Sequence, residues 1–295
     1  MTPRFAYSTN AYTRWPLDEA LESIRQLGFD GVELLVDTPH LVPPVPPARV
    51  LEVRGLLARL GLAISNLNVN TSRALRPGAG ESDPGPTLVS ADPGEREARL
   101  RYVLDAVRLA GDLGAGVVSL TSGPPDPRDG GRGRAWFVSA LGDVMRAAEA
   151  SGLRVGIEYE PGFLVGDLEG LLSVIREVDH PLLGANLDLG HAQVVGDDPA
   201  GAIRKLAGRV WNMHVEDIRG RVHRHLIPGE GEVDFREIRS ALVDTGYDGF
   251  LTVELYTCAE APARAGTLSL AFLRSLFPTP GGDQNSGVRP LTPGP

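Results

Sequence analysis

The chain has 295 residues, 42% of them hydrophobic, and a formal net charge of −9 at pH 7. This composition is typical of a globular protein, and two independent domains would be cramped in this length. The acidic balance argues against nucleic acid as a partner, because a phosphate backbone requires a basic face. A local basic pocket that holds one small phosphate stays possible.

The cysteine content and the lengths of the apolar stretches predict where the protein is located. Cys258 is the single cysteine, so the chain cannot form an internal disulfide and nothing demands an oxidising compartment. The first residues lack the apolar core of a signal peptide, and no stretch approaches the roughly 20 apolar residues of a membrane span. We therefore expect a cytoplasmic protein without a membrane partner.

Strand and helix patterns alternate along the whole chain. Strands are predicted at 5–8, 31–36, 62–69, 115–120, 155–158, 183–188, 210–214 and 250–254. Helices are predicted at 17–27, 48–60, 98–113, 135–150, 167–178, 199–206, 235–245 and 262–277. Glycines such as Gly28 and Gly61 directly follow these helices, as a helix C-cap requires. This alternation predicts parallel pairing with right-handed crossovers, and hence a single (β/α)₈ TIM barrel.

Two segments interrupt this regular alternation. Residues 70–93 form a Gly/Pro-rich loop after the third strand, on the expected active-site face. This loop is either a lid or a disordered surface segment. Residues 278–295 are rich in Pro and Gly and cannot form a core, which predicts a flexible C-terminal tail. The barrel domain is accordingly expected to occupy 1–277.

Four successive strand patterns each end on a side chain that binds hard metal ions. These residues are Glu158, Asp188, His214 and Glu254, and about one strand–helix unit separates each from the next. The strands are apolar, as strands buried on both faces are. An unpartnered carboxylate buried there would cost several kcal/mol, on the order of the penalty for an isolated internal charge. A shared divalent cation is the simplest partner, and the active site of such a barrel lies at these strand ends.

The type of ligand narrows the choice of metal. Mostly oxygen ligands with one imidazole favour Mn²⁺, Mg²⁺ or Co²⁺, with Zn²⁺ or Fe²⁺ as further possibilities. No cysteine is among the candidates, which argues against a structural zinc site. Taken singly, an acidic residue at a strand end is more often a helix N-cap or a surface charge. The repetition over four strands favours metal binding.

Five more residues are candidates for substrate binding. His191 could contact a substrate oxygen or support a ligand, or it could merely begin a helix. Glu33 could contact the substrate or a ligand histidine, or it could pair with an internal arginine. Arg219 and Arg221 belong to a positive cluster that could hold a phosphate, a carboxylate or sugar hydroxyls, or that could be a solvated loop. Asn68 lies near the end of its strand and could reach the substrate.

Five short motifs together resemble the xylose isomerase-like TIM-barrel superfamily of sugar-phosphate isomerases and epimerases, which also includes the AP endonuclease family 2. The resemblance covers about residues 5 to 277. The motifs are Gly-Phe-Asp-Gly-Val-Glu-Leu (28–34), Gly-Ile-Glu-Tyr-Glu-Pro-Gly (156–162), Leu-Asp-Leu-Gly-His (187–191), His-Val-Glu-Asp (214–217) and Pro-Gly-Glu-Gly-Glu-Val-Asp-Phe (228–235).

The resemblance implies roles for particular residues. It implies a divalent metal held by Glu158, Asp188, His214 and Glu254. In the ketose epimerases of this group, the carboxylates that match Glu158 and Glu254 also move the proton, and a histidine that matches His191 contacts the substrate. Two departures matter. Arg219 and Arg221 straddle the place of the epimerase arginine, and the extra histidines of endonuclease IV are missing from the third and fourth strands.

The expected activity is therefore a metal-dependent isomerase or epimerase of a sugar, keto-sugar or related polyol. Glu158 and Glu254 would move a proton through a metal-stabilised enediolate. A lyase or dehydratase could use the same site, losing β-hydroxide after the same deprotonation. A non-catalytic barrel and an endonuclease IV-like nuclease are weaker alternatives. The expected partner is a small sugar-like molecule, and a homo-oligomer is possible.

Overall fold

A computed structural model describes residues 3–78 and 83–278. The predicted tail therefore lies outside the described residues, except for its first residue, and so does the middle of the predicted loop. Within the described ranges, no helix combines the length and the hydropathy needed to cross a lipid bilayer.

Eight parallel strands close into a barrel in the order of the sequence, from β1 to β8 and back to β1. This arrangement confirms the predicted (β/α)₈ TIM barrel. The strands are β1 (Arg4–Ser8), β2 (Gly31–Leu35), β3 (Ala63–Asn68), β4 (Val117–Leu120), β5 (Arg154–Ile157), β6 (Leu183–Asp188), β7 (Val210–Val215) and β8 (Phe250–Val253).

Helices surround the barrel and, in the described residues, mostly match their predicted positions. They are α1 (Leu17–Leu27), α2 (Pro47–Leu60), α3 (Pro93–Leu113), α4 (Gly133–Ala150), α5 (Leu168–Val178), α6 (Leu189–Val195), α7 (Pro199–Lys205), α8 (Phe235–Thr245) and α9 (Pro262–Leu276). Short 3₁₀ helices follow β1, β3 and β8.

Two helices differ from the prediction because local capping decides where they begin. Helix α3 starts five residues earlier than the expected start at 98, because Asp92 accepts hydrogen bonds from the backbone amides of Gly94 and Glu95. Helix α6 was not predicted. Asp188 caps it by accepting from the amide of His191 at 2.6 Å, so one side chain both ends a strand and starts a helix.

The barrel interior is tight where the strands that carry the site meet. A β-carbon on Gly156 of β5 would lie 2.7 Å from the backbone nitrogen of Asn186 on β6. Only glycine allows this approach, because real β-carbons do not pack so closely. The adjacent ends of β5 and β6 carry Glu158 and Asp188, so the close packing fixes the positions of both carboxylates.

A buried arginine and a buried aspartate hold the loop after β3. Arg99 on α3 is 2% exposed and donates to the backbone oxygens of Thr71, at 2.7 Å, and Val69. Asp37 accepts from the hydroxyl of Thr71 and from the backbone amide of Arg73, at 2.5 and 2.8 Å. The described start of the predicted loop is thus fixed over the carboxyl end of the barrel.

Candidate metal centre

Four side chains from four strands meet at the carboxyl end of the barrel. Asp188 ends β6 and is the register partner of His214 on β7. Glu158 and Glu254 come directly after β5 and β8. Each residue offers one ligand atom, and these four atoms all lie within 4.8 Å of one another. All four residues are buried, so the structure brings together the complete predicted ligand set.

His214 lies at the centre of this group. Its Nδ1 is 3.1 Å from Glu158 Oε2, 3.6 Å from Glu254 Oε1 and 3.7 Å from Asp188 Oδ2. Its Nε2 points the other way and lies 2.7 Å from Glu33 Oε2. One ring nitrogen therefore faces the carboxylates of the site, and the other faces the barrel interior.

Glu33 lies beneath the centre, and its side chain is fully buried. It accepts from Asn66 Nδ2 at 2.8 Å, from Asn68 Nδ2 at 3.0 Å and from His214 Nε2. Burial opposes ionisation of Glu33, but the positive His214 and these hydrogen bonds outweigh it and lower the pKa of Glu33. Of its predicted roles, contact with a ligand histidine is the one that this geometry displays.

Two amides hold one oxygen of Glu158. Asn70 Nδ2 donates to Glu158 Oε2 at 2.9 Å, and Asn186 Nδ2 donates to the same oxygen. Asn186 is itself oriented, because its Oδ1 accepts from Asn212 Nδ2 at 2.8 Å. These amides stabilise the ionised carboxylate in one orientation, which a metal ligand requires.

The residues present fit a hard divalent cation. Asp188 Oδ2 is buried and has no hydrogen-bond partner within residues 3–78 and 83–278, although it lies in the cluster. A buried acceptor without a donor is costly, and a cation would satisfy it. Three carboxylates and one imidazole are also a suitable donor set for such an ion.

Strong coupling between these charges shifts several pKa values. Burial lowers the pKa of His214, but Glu254, Glu33 and Glu158 outweigh burial and raise it well above the usual value. Burial and the neighbouring carboxylates raise the pKa of Glu254 well above its usual value. The pKa of Asp188 lies well below its usual value, because His191 and His214 outweigh the effect of burial. The raised pKa values mean that His214 and Glu254 hold protons that reduce the net negative charge of the cluster. A bound divalent cation would reduce this charge in place of those protons.

His191 lies beside the cluster, as its position in the sequence predicts. Its Nδ1 is 3.0 Å from the backbone oxygen of Tyr159, and its Nε2 is 3.0 Å from His223 Nε2. Burial alone would lower the pKa of His191, but Asp188, Glu160 and other carboxylates raise it to about 9. His191 is thus a positively charged group against a negatively charged site.

Several polar residues around the cluster received no specific role from the sequence. Glu160 lies 3.6 Å from both His191 Nε2 and His223 Nδ1. His225 Nδ1 is 3.0 Å from the backbone oxygen of Glu254, and its buried Nε2 lacks a partner among the described residues. For Glu160, the sequence does offer one indication of a role in the site. Glu160 lies two residues after Glu158, and residues i and i+2 share one face of an extended chain.

The remaining substrate-binding candidates differ in position. Asn68 donates to both Glu33 Oε1 and Glu254 Oε1, at 3.0 and 3.1 Å, so its two amide hydrogens are engaged. Arg219 is exposed and donates to the backbone oxygen of Glu230 at 2.7 Å. The guanidinium of Arg221 occupies the space that a β-carbon on Gly196 would fill. The contacts described for both arginines are thus with loop and helix-end residues, and not with the four side chains of the cluster.

Known proteins with related sequences include sugar epimerases and dehydratases. The chain is 24% identical to fructoselysine 3-epimerase of Shigella flexneri over 92% of this chain and 96% of that enzyme. It is 26% identical to inosose dehydratase of Clostridium tetani over 46% of this chain and 50% of that enzyme. It is also 34% identical to an uncharacterised protein of Methanocaldococcus jannaschii, over 39% of this chain and 41% of that protein.

Solved structures share the same architecture. The structure of D-psicose 3-epimerase with D-tagatose from Clostridium cellulolyticum H10 superimposes with a TM-score of 0.75, at 18% identity, over 93% of this chain and 99% of that one. This likeness concerns the fold. The family described as "Xylose isomerase-like TIM barrel" matches residues 21–276. With the closed barrel, this match shows that the chain belongs to the xylose isomerase-like TIM-barrel family.

Proposed function

We propose that this chain is a divalent-metal-dependent isomerase or epimerase that moves a proton next to a carbonyl in a sugar, keto-sugar or related polyol. The convergence of Glu158, Asp188, His214 and Glu254 in one buried cluster carries this proposal. The epimerase relative over nearly the whole chain supports the substrate class. The donor set favours Mn²⁺, Mg²⁺ or Co²⁺, with Zn²⁺ and Fe²⁺ as further candidates.

The chain's own carboxylates are suited to move the proton. A bound cation would polarise the substrate carbonyl and neutralise the charge that develops on it. Asn70 and Asn186 engage Oε2 of Glu158, and Asn68 engages Oε1 of Glu254. The other oxygen of each carboxylate receives no amide hydrogen bond from the described residues. One of these oxygens removes the α-proton, and a second group returns it to the other face or to the neighbouring carbon.

Residues beside the cluster would hold the substrate. The ring of His191 lies beside the candidate ligand carboxylates, 3.7 Å from Glu158 Oε1 and 3.8 Å from Asp188 Oδ2. With Glu160, it could bind sugar hydroxyls as donor and acceptor. Arg219 and Arg221 stay candidates for the far end of a longer or charged substrate, because they belong to the loop after β7.

A dehydratase is the second candidate function. Relatives include inosose dehydratase and a 3-dehydroshikimate dehydratase of Pseudomonas putida, the latter 27% identical over 88% of this chain and 39% of that enzyme. In that reaction, the carboxylate takes the α-proton, the C–H electron pair forms a C=C bond, and the β-hydroxyl leaves with a proton as water. Both functions therefore need the same deprotonation.

Deuterium exchange tests the proposal. The protein is incubated in D₂O with Mn²⁺ and a panel of ketoses and inososes, and each compound is analysed by mass spectrometry. We expect one deuteron in one substrate, with no exchange in Glu254→Gln and full exchange in the surface control Glu97→Gln. Loss of 18 mass units, as expected when one water is eliminated, would instead identify a dehydratase. Full exchange by Glu254→Gln would refute the assigned role of Glu254.

A further inference from the structure

Glu33 and His214 form a buried pair directly beneath the proposed metal centre. Both side chains are fully buried, and Glu33 Oε2 is 2.7 Å from His214 Nε2. The opposite nitrogen, Nδ1, faces Glu158, Glu254 and Asp188 at 3.1 to 3.7 Å. The ring therefore connects an interior carboxylate to the ligand cluster.

The surroundings of Glu33 show why it is held as an acceptor. Its Oε2 accepts hydrogen bonds from Asn66 Nδ2 at 2.8 Å and Asn212 Nδ2 at 3.4 Å. Its Oε1 accepts a hydrogen bond from Asn68 Nδ2 at 3.0 Å. Both oxygens thus face donors. A carboxylate in this position satisfies every amide, and the same donors favour its charged form.

The orientation of one of these amides is fixed from further away. Asn212 Oδ1 accepts from the hydroxyl of Thr252 at 2.8 Å, and Asn212 Nδ2 also donates to Asn186 Oδ1 at 2.8 Å. Reversal of the Asn212 amide would place its oxygen against Asn186 Oδ1 and Glu33 Oε2, which are both acceptors. The amide must therefore present its hydrogens, and not its oxygen, toward Glu33.

We infer that Glu33 is a positioning residue that holds the Nε2–H of His214, so that Nδ1 is the nitrogen with a lone pair available to the metal. A neutral imidazole carries one N–H, and the hydrogen bond at one nitrogen decides which nitrogen can bind a metal. Glu33 acts through His214 and has no contact with the reacting atoms. This inference rests on the proposed function, because it assumes that the cluster binds a metal.

Substitution of Glu33 by glutamine preserves the shape of the side chain but not the set of acceptors. If the glutamine oxygen takes the place of Oε2, its amide nitrogen takes the place of Oε1 and opposes Asn68 Nδ2, donor against donor. If the amide is reversed, its nitrogen opposes His214 Nε2. In neither orientation does the side chain supply a charge at Nε2.

Calorimetric titration of the chelator-treated chain with Mn²⁺ and Mg²⁺, together with NMR of the histidine rings, tests this inference. We expect E33Q to bind Mn²⁺ about 10 to 100 times more weakly than wild type, as is typical when a partner of a metal-binding histidine is lost. We also expect the Nε2–H resonance of His214, in metal-free and in Mg²⁺-loaded protein, to move upfield in E33Q, because the bond to a charged acceptor is gone.

Leu141→Ala is the control for general destabilisation, because Leu141 is a fully buried residue of α4. This variant should lose stability but keep the metal affinity and the His214 resonance of wild type. Wild-type affinity and an unchanged resonance in E33Q would overturn the inference and leave the proposed function intact. A wild-type chain that binds neither ion would overturn the proposed function and the inference with it.

Discussion

Replacement of Glu254 by glutamine should stabilise the metal-free protein. Glu254 is buried against Glu158, Glu33 and Asp188, and burial together with these charges raises its pKa well above 4.5. Because the folded-state pKa lies above the unfolded value, the folded protein holds this proton more tightly than the unfolded chain does. The group therefore contributes its full stability below pH 4.5, and this contribution is lost as the pH rises through the folded-state pKa. Glutamine does not ionise, so it removes this cost while its oxygen can still accept from Asn68.

The magnitude follows from this linkage. Each unit of upward shift costs the folded state about 1.4 kcal/mol at a pH above both values. We therefore expect metal-free Glu254→Gln to be more stable than wild type at pH 8, and each kcal/mol of the difference should appear as an increase of about 3 °C in Tm for a chain of this size. Near pH 4, where the unfolded carboxyl is mostly protonated, the difference should vanish.

Addition of Mn²⁺ should stabilise wild type more than Glu254→Gln. A ligand at one hundred times its Kd stabilises the state that binds it by about 2.7 kcal/mol. Wild type should gain this amount, and Glu254→Gln should gain little, because it lacks one ligand. Thermal unfolding at pH 8 with EDTA and with Mn²⁺ measures both effects, and exposed Glu97→Gln is the control. The reasoning is refuted if Glu254→Gln is less stable than wild type in EDTA and equally stabilised by Mn²⁺.

Three further substitutions test separate parts of the structure by chemical denaturation. The difference in unfolding free energy between metal-free wild type and His191→Asn should shrink by about 3 kcal/mol from pH 6.5 to pH 9. The pKa of His191 is raised to about 9 in the folded protein, so its contribution to stability is full below pH 6.5 and is lost as the pH rises through 9. A difference that stays constant with pH would contradict this prediction. Arg99→Leu should cost about 3 kcal/mol, because it leaves the buried oxygen of Val69 and the backbone oxygen of Thr71 without this donor. A neutral effect would contradict this role of Arg99. Gly156→Ala should cost about 1 to 3 kcal/mol through its clash with Asn186, and wild-type stability would contradict the close packing of β5 and β6.

The barrel and the convergence of the four candidate ligand residues could be predicted from the sequence. Apolar runs that each end on a metal-binding side chain are visible without coordinates, and parallel strands place their ends on one side. Asp188 shows a limit of this approach. A helix N-cap was only the alternative role for such a residue, and α6 itself was not predicted, because a segment of seven residues that contains Gly190 gives a weak helical pattern.

The hydrogen-bond partners of the site could not be predicted, because they depend on registers and rotamers across the barrel. Asn70 follows the third predicted strand, and nothing in its position indicates that it donates to Glu158, 88 positions away. Arg99 lies within the helix predicted at 98–113, and its burial depends on how α3 packs over the loop after β3. The spacing of residues in the sequence shows which side chains share one face of a helix or strand. It does not show which side chains of distant helices and strands form hydrogen bonds with each other.

Equilibrium dialysis of the chelator-treated chain against Mn²⁺ is the most direct test of whether one cation binds among these strand ends. We expect one ion per chain in wild type, and none at the same free concentration in Asp188→Ala, which removes the buried oxygen that has no donor among the described residues. The absence of bound Mn²⁺ in wild type, or equal binding by both proteins, would contradict the assignment of a metal centre to this cluster.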